Sequence, residues 1–205
     1  LAATDIPHAN ARLPSELSDA GFEKAMSLIP DPAFALRAAE CWHPSHLGVL
    51  GYAWLSSGSL RTALMRLARY SRILGQKASC TCGEAAEGLV FAFDAGRGDT
   101  PLGHVVADFV LCLVLSMCRK NYGAPLAPLA VRLRRPMPGK RQPYDDYFGC
   151  KVEFGAAEDH FVLARDVADR PLPTANQELA RTFDAILAAQ LAALGQGDEG
   201  GAHFV

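Results

Sequence analysis

Apolar residues recur along this chain in steps of three and four, and most such runs end on glycine, proline or small polar residues. Phe22, Met26 and Ile29 share one face of a short helix that Pro30-Asp31-Pro32 ends, and Ala33 to Glu40 suits a second helical stretch. After the turn His43-Pro44-Ser45-His46, the positions of Leu47, Leu50, Tyr52 and Trp54 support another short helix, which Ser56-Ser57-Gly58-Ser59 interrupts. Ser59 is placed to cap the next helix. There Leu60, Leu64, Leu67, Ala68 and Leu74 form an apolar stripe, and Arg61, Arg66, Arg69 and Arg72 take the more solvated sides.

The texture then changes. Ser79 to Cys82 and the β-branched and aromatic run Leu89 to Phe93, joined by a turn over Gly83 to Gly88, read as a hairpin. Thr100 before Pro101 opens a long helix, and Gly123 closes it where a left-handed residue is usual. Leu129 to Arg134 alternates apolar and polar residues, the period of a strand with one wet face, until Pro136 and Pro138 stop it. Tyr144 to Phe148 makes one helical turn, Lys151 to Phe154 a strand, and His160 to Ala164 the strand returning beside it. The last helix is predicted from about Asn176 to Leu194, with Leu179, Phe183, Ile186, Leu187, Leu191 and Leu194 at helical spacings. Gln196 to Gly201 is polar and glycine-rich, so residues 195–205 read as a flexible tail or linker behind a folded domain of residues 1–194. The expected fold is α+β: a small, mostly antiparallel sheet packed with helices around the long central helix Pro101 to Tyr122.

Composition narrows the function. The chain has 205 residues, half of them apolar, enough for one real core. Twenty Lys and Arg against twenty-two Asp and Glu give a net charge of −2, so the field that draws a protein to polyphosphate is missing, and nucleic acid is not expected as this segment's own partner. The apolar run Val105 to Met117 is shorter than the ~20 residues of a bilayer span, and Leu1 to Asp5 lacks the basic start of a secretion signal. The expectation is a cytoplasmic protein without membrane contact, whose six cysteines are reduced thiols.

Polar residues inside apolar segments are the candidates for chemistry, because buried charge is costly unless paired or used. His104, Asp108 and Cys112 stand at i, i+4 and i+8 on one helical face, where a carboxylate and an imidazole could hold the polar end of a small ligand. The alternative is that Asp108 pairs with an arginine of a neighbouring helix and His104 sits in the exposed first turn. His43, His46, Tyr52 and Trp54 form a second cluster suited to a mostly apolar pocket, or equally a turn and two core aromatics. Gly48 and Gly51 in a short helix imply close backbone packing or room for a ligand. Cys80 and Cys82 share a strand face but lack the second pair that a zinc site needs, so no metal and no other cofactor is expected. Arg132, Arg134, Arg135, Lys140 and Arg141 make a basic stretch; Arg132 and Arg134 share one strand face, which reads as a solvated surface, with binding of an acidic ligand or contact with another module as the alternative. The nucleophile, Walker, dinucleotide and zinc-protease motifs are all missing, which argues against an enzyme.

Several strings in order carry a resemblance: His43 to Tyr52 (HPSHLGVLGY), Ser59 to Leu64 (SLRTAL), Leu67 to Tyr70 (LARY), Tyr144 to Phe154 (YDDYFGCKVEF) and Arg170 to Asn176 (RPLPTAN). Over roughly Leu17 to Leu194 the chain resembles the arabinose-binding-type N-terminal domain of AraC-family transcription regulators, in the subgroup of ornithine-utilisation and virulence regulators. That resemblance implies an effector-sensing domain, expected to be a homodimer. Such a domain would bind a small organic molecule and would meet DNA only through a C-terminal helix-turn-helix module, which is not seen in this sequence. The glycine-rich tail would then begin the interdomain linker. The ligand is expected between the long helix, the segment His43 to Trp54 and the sheet, with His43, His46, Tyr52, Trp54, His104, Asp108 and Cys112 as its contacts. A dimerisation domain without ligand, using the last helix, is the alternative, and a metal or thiol sensor a lesser one.

Overall fold

The structure is a computed structural model that describes residues 15–86, 88–123 and 125–199, with side chains up to residue 195. Its centre is α5 (Pro101–Tyr122), which is long because both its ends are built to specification. Thr100 Oγ1 accepts from the Gly103 amide at 3.0 Å, Pro101 occupies the first turn, and Gly123 closes the helix at φ 69°. Side chains from Val105 to Asn121 are buried on nearly every face, the signature of a helix wrapped by other elements. By length and composition α5 could cross a membrane, with a mean hydropathy of 1.9, yet 72% of that window is already buried within the domain.

Around it lie α1 (Ser15–Leu28), α2 (Phe34–Glu40), α3 (Val49–Leu55) and α4 (Leu60–Tyr70). The helix expected from Leu47 to Trp54 is broken in two. Pro44–Leu47 is a 3-10 turn, and Gly48, at φ 58°, redirects the chain into α3. Gly51 answers to close packing, since a Cβ there would stand 1.7 Å from the Pro44 carbonyl oxygen. Ser59 and Thr62 form a reciprocal cap that starts α4, whose apolar stripe (Leu60, Leu64, Leu67) is buried as its spacing requires.

The sheet holds β1 (Ser79–Glu84), β2 (Leu89–Asp94), β3 (Ala130–Leu133), β4 (Val152–Phe154) and β5 (Asp159–Leu163), in the order β1-β2-β5-β3-β4. The β1–β2 hairpin forms as the pattern predicts, with Cys80 opposite Phe93. The expected β4–β5 pairing does not form. β5 lies between β2 and β3, antiparallel to both, while β4 pairs parallel with β3 across α6 (Gln142–Phe148). Burial explains the exchange: Phe161, Val162 and Leu163 are apolar on both faces and need a central position, whereas the three-residue β4 suits an edge. The sheet is thus mixed but mostly antiparallel, and the fold is α+β.

After α7 (Arg165–Asp169), the chain ends in α8 (Gln177–Glu199), which runs five residues past the predicted Leu194. The first part of the expected tail is therefore helical, and its residues from 200 onward lie outside the described residues. Arg66 on α4 fastens α8 through Asp184, with Nε and Nη2 at 2.7 and 2.8 Å from its two carboxylate oxygens.

Candidate functional site

A recess of about 410 Å³ lies between the C-terminal end of α1, the Pro30–Phe34 turn, the first turn of α5 and the segment that leaves β3. Its walls are set by local chemistry. Met26 and Ile29, on the helical face predicted from spacing, form one side; Phe34 and Val105 form another. The turn is rigid because two prolines bracket Asp31, whose Oδ1 accepts from the Ala33 amide at 2.9 Å while Oδ2 pairs with Arg37. The Ala33 amide first, and then Arg37, hold the Asp31 carboxyl below the usual carboxylate range. Three polar side chains reach this mostly apolar cleft: Asp31, His104 and Arg135.

His104 projects from the first turn of α5, with Nε2 2.6 Å from Asp99. Arg135 is held from behind. Its Nη1 donates to Asp108 Oδ2 and to the Tyr144 hydroxyl, and its guanidinium lies over the Tyr144 ring at 5.2 Å. Tyr144 Oη is 2.8 Å from Asp108 Oδ2 and 3.1 Å from the Pro32 carbonyl, so its single proton has two acceptors in reach, one of them in the cleft wall. Asp108 is 1% exposed, and burial raises its carboxyl to about 6 although Arg135 opposes the shift. Burial likewise pushes the Tyr144 hydroxyl well up, with the Asp108 charge adding to it. Two atoms of this cluster, Asp108 Oδ1 and Arg135 Nε, are buried without a hydrogen-bond partner.

Among the candidates read from sequence, only His104 lines the cleft. Asp108 lies behind it and pairs with Arg135, which follows β3 rather than belonging to a neighbouring helix. Cys112, next on the same face, is fully buried, and burial raises its thiol far above the ordinary range. His43 and His46 cap the 3-10 turn: His43 Nδ1 accepts from the Ser45 amide at 3.2 Å, and His46 Nδ1 accepts from the His43 amide at 3.3 Å. Tyr52 is 50% exposed and stacks on Phe183, whereas Trp54 is a core residue. The second cluster thus divides between a cap, a helix contact and the core.

Arg135 and Tyr144 escaped the sequence reading, Arg135 because a basic run after an alternating strand resembles a wet surface. That reading holds for Arg132, which makes an exposed pair with Glu153, but not for its neighbours. Arg134 faces the buried Asp159 at 3.2 Å, and Arg135 points inward. The usable signal was a deficit of partners: a polar Asp108 in an apolar helix requires a cation, and a proline-stopped strand end places one beside it. Cys80 and Cys82 do share a face, packed on the core, where burial pushes their thiols up to about 12 and about 11. Among the described residues, no three His, Cys, Asp or Glu side chains come together as a metal site.

The chain is a five-stranded α+β domain in which a buried polar cluster backs an apolar cleft. Residues 1–172 match the family described as "Arabinose-binding domain of AraC transcription regulator, N-term", and the chain belongs to that family. It is 27% identical over 179 residues to the ornithine utilization regulator of Pseudomonas aeruginosa (strain PAO1), a match that takes in 83% of this chain. The chain spans about half the length of that curated relative. The crystal structure of the transcriptional regulator CdpR from Pseudomonas aeruginosa shares the fold, with a TM-score of 0.66 at 20% identity over 87% of this chain and 59% of that one.

Proposed function

We propose that this domain senses a small organic effector in the cleft between α1 and α5 and transmits its presence to a C-terminal DNA-binding module, working in the cytoplasm as a homodimer. The observation that carries the reading is the cleft. Its 410 Å³ falls within the range of small-molecule sites, and its apolar walls with a few convergent polar groups are the usual composition of one. The polar cluster behind it offers a route for the signal. Arg135, Asp108 and Tyr144 join the exit of β3, α5 and α6, and Tyr144 also reaches the Pro32 carbonyl in the cleft wall. An effector that prefers one arrangement of these elements shifts the population toward it. The ornithine utilization regulator's name makes amino acids a sensible part of any effector search.

A thermal-shift screen of carboxylates, amino acids, amines and sugars tests the proposal. A true effector at 100 times its dissociation constant stabilises by about 2.7 kcal/mol. Val105→Trp puts a larger side chain at the cleft wall; where circular dichroism shows that variant folded, the shift should be lost, and a shift that survives in it places the effector elsewhere.

Exposed apolar residues favour a second reading, dimerisation alone. Leu179 and Ile186 on α8 are 47% and 40% exposed, and Tyr52 lies alongside through Phe183. Ile186→Glu with light scattering separates the two. A protein that becomes monomeric and shifts with no compound is a dimerisation module; one that still shifts is a sensor.

A further inference from the structure

We infer that Arg135 anchors the carboxylate of an effector with an apolar body, taking it side-on through Nε and Nη2; the inference rests on the cleft being the effector site. The evidence is an arginine used in half. A guanidinium offers two parallel donors along its Nε/Nη2 edge, the geometry that matches a carboxylate. Three other ion pairs of this chain fill that edge: Arg66 gives it to Asp184 at 2.7 and 2.8 Å, and Arg141 to Asp145 at 2.8 and 3.4 Å. Arg61 presents the same edge to Asp169. The bonds that Arg135 makes to Asp108 and Tyr144 run instead through Nη1. Its Nε is buried without a partner. Of these arginines it is the one whose side chain lines the cleft.

The surroundings define the rest of the effector. Met26, Ile29, Phe34 and Val105 face the same space and offer no hydrogen bonds, so the remainder of the ligand is aliphatic or aromatic. Asp31, the one acid in the lining, is committed to Arg37 and the Ala33 amide, which leaves it poorly placed to recognise an amine. A second carboxylate on Arg135 would stand close to Asp108. The groups facing Asp108 are Arg135, Tyr144, Asp159 and, on its own helix, Cys112, and only Arg135 is cationic. Binding of an acid is therefore coupled to protonation of Asp108.

The test is calorimetric titration of the purified chain at pH 7.5 with octanoate and 4-phenylbutyrate, each against its primary amide. The acids should bind about tenfold to a hundredfold more tightly than the amides, the worth of charged hydrogen bonds. Asp108→Asn, which removes the competing carboxylate, should tighten the acids and not the amides. Arg135→Gln leaves Asp108 buried without its cation, so the double variant Asp108→Asn/Arg135→Gln serves as the folded comparison, and in it the preference for acid should vanish. Equal binding of acid and amide, or a preference that survives in the double variant, overturns the inference. If amines or sugars bind and the acids do not, the carboxylate anchor falls while the effector cleft stands. If no compound of any class binds, both fall together.

Discussion

Asp108→Asn has a consequence for stability whose sign and size follow from the buried cluster. Folding raises the Asp108 carboxyl from 3.8 to about 6, a difference equivalent to about 3 kcal/mol at 1.36 kcal/mol per unit. Because the folded state binds this proton more tightly than the unfolded chain, the stabilisation is fully present below about pH 4 and is lost as pH rises through 6. Asparagine fits the same space and still accepts from Arg135 and Tyr144, but it has no proton to exchange. Other carboxylates act in the opposite direction: Asp19, Asp31, Asp145 and Asp169 are held low, mostly by arginine partners and backbone amides, and their contributions disappear in acid. Those groups are common to both proteins and cancel in the difference; Asp159, raised by burial and coupled to the Asp108 charge, contributes in the same direction as Asp108. Urea unfolding of the parent and of Asp108→Asn between pH 4.5 and 7.5 therefore reads Asp108 together with that coupling. The stability of the parent relative to the variant should fall by about 2 kcal/mol across that interval, the part of the 3 kcal/mol that lies within it. A flat difference would mean that Arg135 and Tyr144 keep the carboxylate ionised at little cost. A difference that rises with pH would refute the assignment of burial as the dominant influence.

Arg66→Ala should cost about 1.5–3 kcal/mol by removing charged hydrogen bonds, and amide exchange should quicken in α8 first because Asp184 is its fastening to α4. Gly51→Ala should destabilise by about 1–3 kcal/mol in thermal unfolding, since its methyl would displace the Pro44 carbonyl; a neutral outcome would mean that the 3-10 turn moves freely. At pH 7.5 a thiol reagent should modify the exposed Cys41 rapidly and Cys80 and Cys82 slowly, because burial keeps both of the latter protonated. Fast modification of the Cys80–Cys82 pair would revive the thiol-sensor reading.

What the linear sequence determined is whatever depends on neighbours within a turn or two. Ser59 and Thr100 announced their helices, Gly123 ended α5, and the apolar run after Val105, broken only by Asp108 and Ser116, marked that helix as central, since capping and periodicity are written in adjacent residues. The resemblance strings carried the family for the same reason. Tertiary structure alone decided the strand order, where β5 displaced β4 from beside it because burial on both faces is settled only when the sheet is assembled. It alone also decided the cleft. Met26 with Phe34, His104, and Arg135 come from three separate segments, and nothing local to Arg135 distinguishes an arginine on a wet strand face from one turned inward onto Asp108. That choice depends on which carboxylate has been buried without a partner, a property of the folded interior and not of the chain.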